Sequence, residues 1–190
     1  MPKISAPTVG AHREAQRAAL VRAATELLRE SGLAGVSPRT VTERAGMARS
    51  SFYDYFPSKD DLVVAVAIVA FDRWNQEIDA ALADVEPGLP RLRALVDATM
   101  RMTADGEHGL AGALRQAELS PTQFENLMAL HEVLMRPVAA VMAEVGMPDR
   151  FLPLVQSALG SGVSLVQRGG DPVQAADDVF TLLTAGVPRA

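Results

Sequence analysis

The chain has 190 residues, 48% of them hydrophobic and 22% charged, with a net charge of −5. That apolar fraction with so little net charge excludes an intrinsically disordered chain and suffices for one large domain or two small ones. The absence of cysteine excludes a disulfide framework, a thiolate metal site and a cysteine nucleophile, and it fits a cytoplasmic protein.

The longest apolar run, Leu62 to Phe71, is about half of the roughly 20 residues a bilayer requires. The N-terminus has no apolar h-region, so neither membrane insertion nor a signal peptide is expected. Charge is unevenly spread: residues 1–60 carry +3 and residues 61–190 carry −8. A basic small segment joined to an acidic large one points to a polyanionic partner for the first, although a surplus of that size also arises by chance.

Residues 1–11, with Pro2, Pro7 and Gly10, show no periodicity and read as an arm. From His12 to Ser31, Leu20, Ala24, Leu27 and Leu28 fall on one helix face, and Gly32 is a stop. Ser37-Pro38 reads as an N-cap followed by proline at the first helical position. This short helix ends at Gly46, and a second runs from about Arg49 to Phe56, stopped by Pro57. Ser58 caps a long helix reaching about Val85, with Asp60 and Asp61 in its first turn. Further helices are expected over Pro90–Ala104, Leu110–Leu119, Pro121–Gly146 (with Pro137 as a kink), Pro148–Arg168 and Pro172–Ala185. Strand signals are missing. The fold class is therefore all-α, with about nine helices. The expected divisions are an arm at 1–11, a helix-turn-helix domain at 12–57 and a larger C-terminal domain at 58–190.

The segment 37–56 holds two short helices joined by a tight turn at Gly46, a helix-turn-helix pattern. Val41 and Ala45 are placed to pack inward from the first, Met47 in the turn, and Phe52 and Phe56 from the second. Arg49, Ser50 and Tyr53 then lie on the opposite face, with Asp54 beside them. A guanidinium, a hydroxyl and a phenol are groups that read base edges and grip phosphates. An ordinary helical hairpin with a solvated polar face would carry the same pattern.

The run Val41 to Phe56, followed by Lys59-Asp60-Asp61-Leu62, closely resembles the signature of the tetracycline-repressor (TetR) family. The shared features are Ala-Gly at the turn, a hydrophobic-Tyr-x-x-Phe run and a lysine opening the next helix. Val21 to Gly32 is similar to the family's first helix. The chain departs from the pattern at Ala48, where a capping serine is usual, at Ser50, a common glycine, and at Thr42, a common alanine.

The resemblance implies a ligand-responsive transcriptional regulator, most simply a repressor. It would be a homodimer that binds a palindromic operator in double-stranded DNA and is released by a small, largely apolar effector. It implies phosphate contacts from Ser37, Arg39 and Thr40. It implies base or phosphate contacts from Arg49, Ser50 and Ser51, and phosphate contacts from Tyr53, Tyr55 and Lys59. An effector pocket is implied in the C-terminal helices, where Trp74, Met100, Phe124, Met128 and His131 are the candidate lining residues, though each serves equally as core. Pairing of the last two helices is implied for dimerisation. Their apolar stripes hold Leu152, Val155, Leu159, Gly162 and Val163, then Val179, Leu182 and Leu183.

A helical-bundle enzyme is the reading from another class. Against it, the chain has no Glu-x-x-His pair, and His12, His108 and His131 are scattered. No catalytic residue, metal or cofactor is expected. A ligand-independent structural DNA binder is disfavoured by the acidic C-terminal part.

Overall fold

The computed structural model describes residues 9–105 and 120–185; the helix expected over Leu110–Leu119 lies outside these residues. Seven α-helices are found among them: α1 (Val9–Gly35), α2 (Pro38–Arg44), α3 (Lys59–Leu82), α4 (Leu89–Ala104), α5 (Pro121–Glu144), α6 (Leu152–Gln167) and α7 (Pro172–Ala185). Two 3-10 helices, Arg49–Asp54 and Asp149–Phe151, complete the order, and no strand occurs among the described residues. The fold is all-α, as the periodicity and turn residues require.

Among the N-terminal elements three features differ from the sequence reading. The first helix begins at Val9, so residues 9–11 are helical rather than part of an arm. Gly32 breaks α1 as expected, at φ 62° and ψ −167°, but the chain turns once more before Gly35. The segment after the turn is a 3-10 helix rather than an α-helix. Its N-cap, Ala48, offers no side-chain acceptor, so the helix start lacks the cap that Ser37 gives α2.

The described chain forms two compact units, the first reaching Ala67 on α3 and the second beginning at Ile68. Roughly the first two and a half turns of α3 thus belong with the N-terminal helices. Leu62, Val63 and Val66 are buried there, as are Leu20, Ala24, Leu27, Val41, Phe52 and Phe56 of the same unit. Helix α2 packs against both α1 and the 3-10 helix.

In the C-terminal unit α4, α6 and α7 pack on one another. Their core joins Leu92, Leu95, Val96 and Met100 with Val155, Leu159, Ala176 and Val179, and with Trp74 and Ile78 of α3 and Val141 and Met142 of α5. Each of the larger side chains contributes about 1.5–3 kcal/mol by leaving water. Pro137 lies inside α5, which continues through it to Glu144.

Candidate functional site

Local chemistry builds the helix-turn-helix from its first residue. Ser37 Oγ accepts from Thr40 N–H at 3.1 Å, and Thr40 Oγ1 accepts from Ser37 N–H at 3.0 Å, a reciprocal capping box. Thr40 Oγ1 also donates to Gly35 O at 2.8 Å, fastening α2 to the end of α1. At the other end, Met47 N–H donates to Thr42 O at 2.8 Å across Gly46, whose φ of 70° suits glycine. Val41 and Phe52 are fully buried, and the Phe52 ring meets Phe56 at 6.0 Å between centroids. Ala45 and Met47 are half-buried.

With Phe52 and Phe56 turned inward, the 3-10 helix presents Arg49, Ser50, Tyr53 and Asp54 to solvent; Ser51 is half-buried. Tyr53 is 61% exposed and makes no hydrogen bond among the described residues, its ring edge resting on Phe52. Arg49 is likewise exposed. These groups form one outward polar face. The other DNA-contact candidates are engaged within the chain. Ser37 and Thr40 cap α2. Arg39 Nε donates to Glu43 Oε1 at 2.8 Å, both side chains well exposed. Tyr55 is half-buried, its hydroxyl donating to Gln16 Oε1 and its ring lying under the Arg13 guanidinium. Lys59 Nζ donates to Leu33 O at 2.8 Å, just past the break at Gly32.

Sequence reasoning missed the supporting residues on α1. Arg13 Nη2 donates to Asp54 O at 2.7 Å, and Arg17 lies over the Phe56 ring, so α1 braces the end of the 3-10 helix. Arg44, the last residue of α2, reaches Glu30 at 2.7 Å and Glu26 at 3.2 Å. Its hydrogen bond holds the Glu30 carboxyl below the usual range. A polar face on α1 was visible at helical spacing, but nothing in one sequence says which aromatic or carboxylate it meets.

In the C-terminal unit the expected effector and dimer residues differ in burial. Trp74 and Met100 are buried in the core of this unit. Phe124 and Met128 are exposed, His131 is half-buried, and Phe124 belongs to the N-terminal unit. A cleft of about 550 Å³ does open in this unit, between the ends of α3 and α5 and the start of α4, and none of the five expected residues lines it. Asn75, Asp79, Arg91, Arg136 and Glu144 supply its polar wall.

Much of the expected dimer stripe is covered within the chain. Val155, Leu159, Gly162 and Val179 are buried inside the single chain. A Cβ on Gly162 would stand 2.6 Å from Met100 Cε and 2.8 Å from Val179 Cγ2, so this glycine permits close packing within the subunit. Leu152, Val163 and Leu183 are half-buried. Of the expected stripe only Leu182 is exposed, at 47%, while Leu154 and Val173, which the stripe omitted, are exposed at 61% and 63%. One amphipathic helix has one core-facing stripe, and the chain's own core claims it. Among the described residues no helix is long and apolar enough to cross a membrane, and no three His, Asp or Glu side chains converge as metal ligands.

Comparisons with known proteins agree with this geometry. Residues 20–66 match the family model for bacterial regulatory proteins of the tetR family. An uncharacterized HTH-type transcriptional regulator, YvdT of Bacillus subtilis, is 32% identical over 84 residues, which make up 44% of this chain and 43% of that relative. The match thus spans less than half of the relative's length. Among solved structures, the TetR-like regulator LfrR from Mycobacterium smegmatis, in complex with proflavine, is similar with a TM-score of 0.72 and 21% identity, over 94% of this chain and 99% of that one. The TetR family regulator PfmR from Thermus thermophilus gives a TM-score of 0.68 and 19% identity, over 90% and 99% of the two chains. AibR, in complex with isovaleryl coenzyme A and operator DNA, gives 0.69 and 16%, over 88% and 97%. At these identities the structures establish the fold.

Proposed function

The chain belongs to the tetracycline-repressor (TetR) family of bacterial regulatory proteins, and from that premise we propose that it is a dimeric, ligand-responsive repressor of transcription. The observation that carries the reading is the outward face of the 3-10 helix, where Arg49, Ser50 and Tyr53 stand free on an element braced by α1 and α2. Arg49 reads a base edge, Tyr53 grips phosphate, and Lys59 offers its remaining ammonium protons to phosphate near the start of α3. The bonds of Ser37, Thr40 and Tyr55 within the chain make them supports that fix this face. No catalysed reaction is part of this reading.

The second copy packs on the face of α6 and α7 that the chain's own core leaves over: Leu154 and Leu165 on α6, Val173 and Leu182 on α7. Between the two leucines of α6 lie Ser157 and Ser161, whose hydroxyls donate to Pro153 O and Ser157 O at 2.8 Å each. Hydroxyls satisfied in this way leave a shallow face of small side chains that another helix approaches closely. Two-fold symmetry then sets two reading heads roughly 34–36 Å apart and selects a palindromic operator. An effector in the C-terminal unit releases DNA by preferring the conformation that binds it less well. Two structural relatives crystallised with small organic ligands, one of them also with operator DNA, which supports the same division of labour. Selection of the protein's ligands from a random pool of double-stranded DNA tests the reading. A palindrome with half-sites one helical turn apart is expected, and failure to enrich any sequence overturns it.

A further inference from the structure

We propose that the cleft between the ends of α3 and α5 and the start of α4 binds a small organic cation, a protonated amine carried on an apolar body. This deepens the ligand-responsive reading and rests on it for its regulatory meaning. The cleft's volume, about 550 Å³, suits a small-molecule ligand, and Leu82, Ala83, Pro137 and Val141 give it aliphatic walls.

Its polar lining includes two acceptors without a donor. Asn75 Oδ1 is removed from solvent yet accepts no hydrogen bond, a rare state for a buried polar atom in a folded protein. Pro137 has no N–H, so the Val133 carbonyl one turn earlier loses its helical donor, and both residues line the cleft. Asp79 lies one turn beyond Asn75 on α3, and its carboxylate has no partner among the described residues.

Two arginines and two carboxylates line the cleft, so net charge alone selects no ligand. The Arg91 guanidinium donates to Glu144 Oε1 at 2.8 Å and Val85 O at 2.9 Å, and Glu144 Oε2 accepts from Gly88 N–H at 3.0 Å. That pair is closed on itself. Arg136 and Asp79 remain, both on exposed side chains, so the two acceptors without a donor decide the head group. An anionic ligand would satisfy Arg136 alone and set its oxygens against Asn75 and Val133. An ammonium supplies the N–H donors both acceptors lack and the charge that Asp79 attracts.

The test is isothermal titration calorimetry of the full chain with octylamine, octanoate and octanol, which share one apolar body and differ in the head group. Octylamine is expected to bind about tenfold or more tighter than the other two. Asn75→Leu and Asp79→Asn are each expected to weaken it by about tenfold, and Arg136→Gln to leave it no weaker. Asp79→Asn replaces an exposed group by its near-isostere, so the test stands even if Asn75→Leu fails to fold. Binding of none of the three, preference for octanoate with loss in Arg136→Gln, or indifference of the amine to both α3 substitutions each overturns the proposal. The DNA selection separates this from the parent reading. An empty cleft beside a selected palindrome overturns the site alone, and an amine-filled cleft with no selected DNA overturns the regulator alone.

Discussion

Arg49 and Lys59 are both cations of the N-terminal unit, and their surroundings assign them different work. Arg49 stands on the outward face without a partner among the described residues, so its guanidinium is available for a bidentate contact with guanine. Arg49→Ala is expected to reduce operator affinity by about 1–3 kcal/mol, concentrated at one symmetric pair of base positions. Fluorescence anisotropy against a panel of single-base operator variants reads this directly, and a loss spread evenly over all sequences would make Arg49 a phosphate contact. Lys59 has one N–H on the Leu33 carbonyl and two left over. Lys59→Ala is therefore expected to act twice. The slope of log affinity against log salt falls by about one, on operator and random DNA alike. Folding stability falls by about 1 kcal/mol with the lost strut. A destabilised variant with an unchanged slope would leave Lys59 a strut and nothing more.

At the scale of the helix, the two glycines of α6 separate two effects that look alike in the sequence. Gly160 is exposed and a Cβ there meets nothing within 4 Å, so Gly160→Ala is expected to stabilise the chain by up to about 1 kcal/mol through helix propensity alone. Gly162 lies against Met100 and Val179. Its added methyl would demand that the Met100 tip and the stiffer β-branched Val179 both move. Overpacking of this kind costs about 1–3 kcal/mol and outweighs the propensity gain, so Gly162→Ala is expected to destabilise. Urea unfolding of the pair decides it, and equal effects of the same sign would refute the close approach of α4, α6 and α7. The 3-10 helix follows the same logic of local balance. With no capping side chain at Ala48, it is held by what flanks it: Phe52 and Phe56 beneath, and Arg13 on the Asp54 carbonyl.

For the whole molecule the assembly prediction turns on which leucines the subunit has already used. Leu154→Glu and Leu182→Glu place charges on the exposed face of α6 and α7. They are expected to give folded monomers that lose operator affinity and keep weak non-specific binding. Leu159→Glu places its charge in the subunit's own core and is expected to unfold the chain. Sedimentation equilibrium with far-ultraviolet circular dichroism distinguishes the two classes, and dimeric Leu154→Glu and Leu182→Glu proteins with normal operator binding would move the interface elsewhere.

Much was legible in residue order alone, because the signals were short-range. Ser37-Pro38 capped α2, Gly46 shaped the turn, Ser58 capped α3, and the spacing of Phe52 and Phe56 chose which face of the reading element turns outward. Each depends on residues at most four apart, so the linear pattern carries the physics. What the tertiary structure decided depended on residues far apart in the chain. An apolar stripe says that a helix is covered on one side; whether the cover is α4 or a second subunit is set by packing, which claimed Val155, Leu159, Gly162 and Val179 for the core and left Leu154 and Val173 in solvent. A lysine or tyrosine near a DNA-binding motif looks the same whether or not Leu33 or Gln16 accepts its hydrogen bond. Asn75 was one amide among many until folding removed its oxygen from water and supplied no donor, because hydrogen-bond satisfaction is a property of neighbours in space.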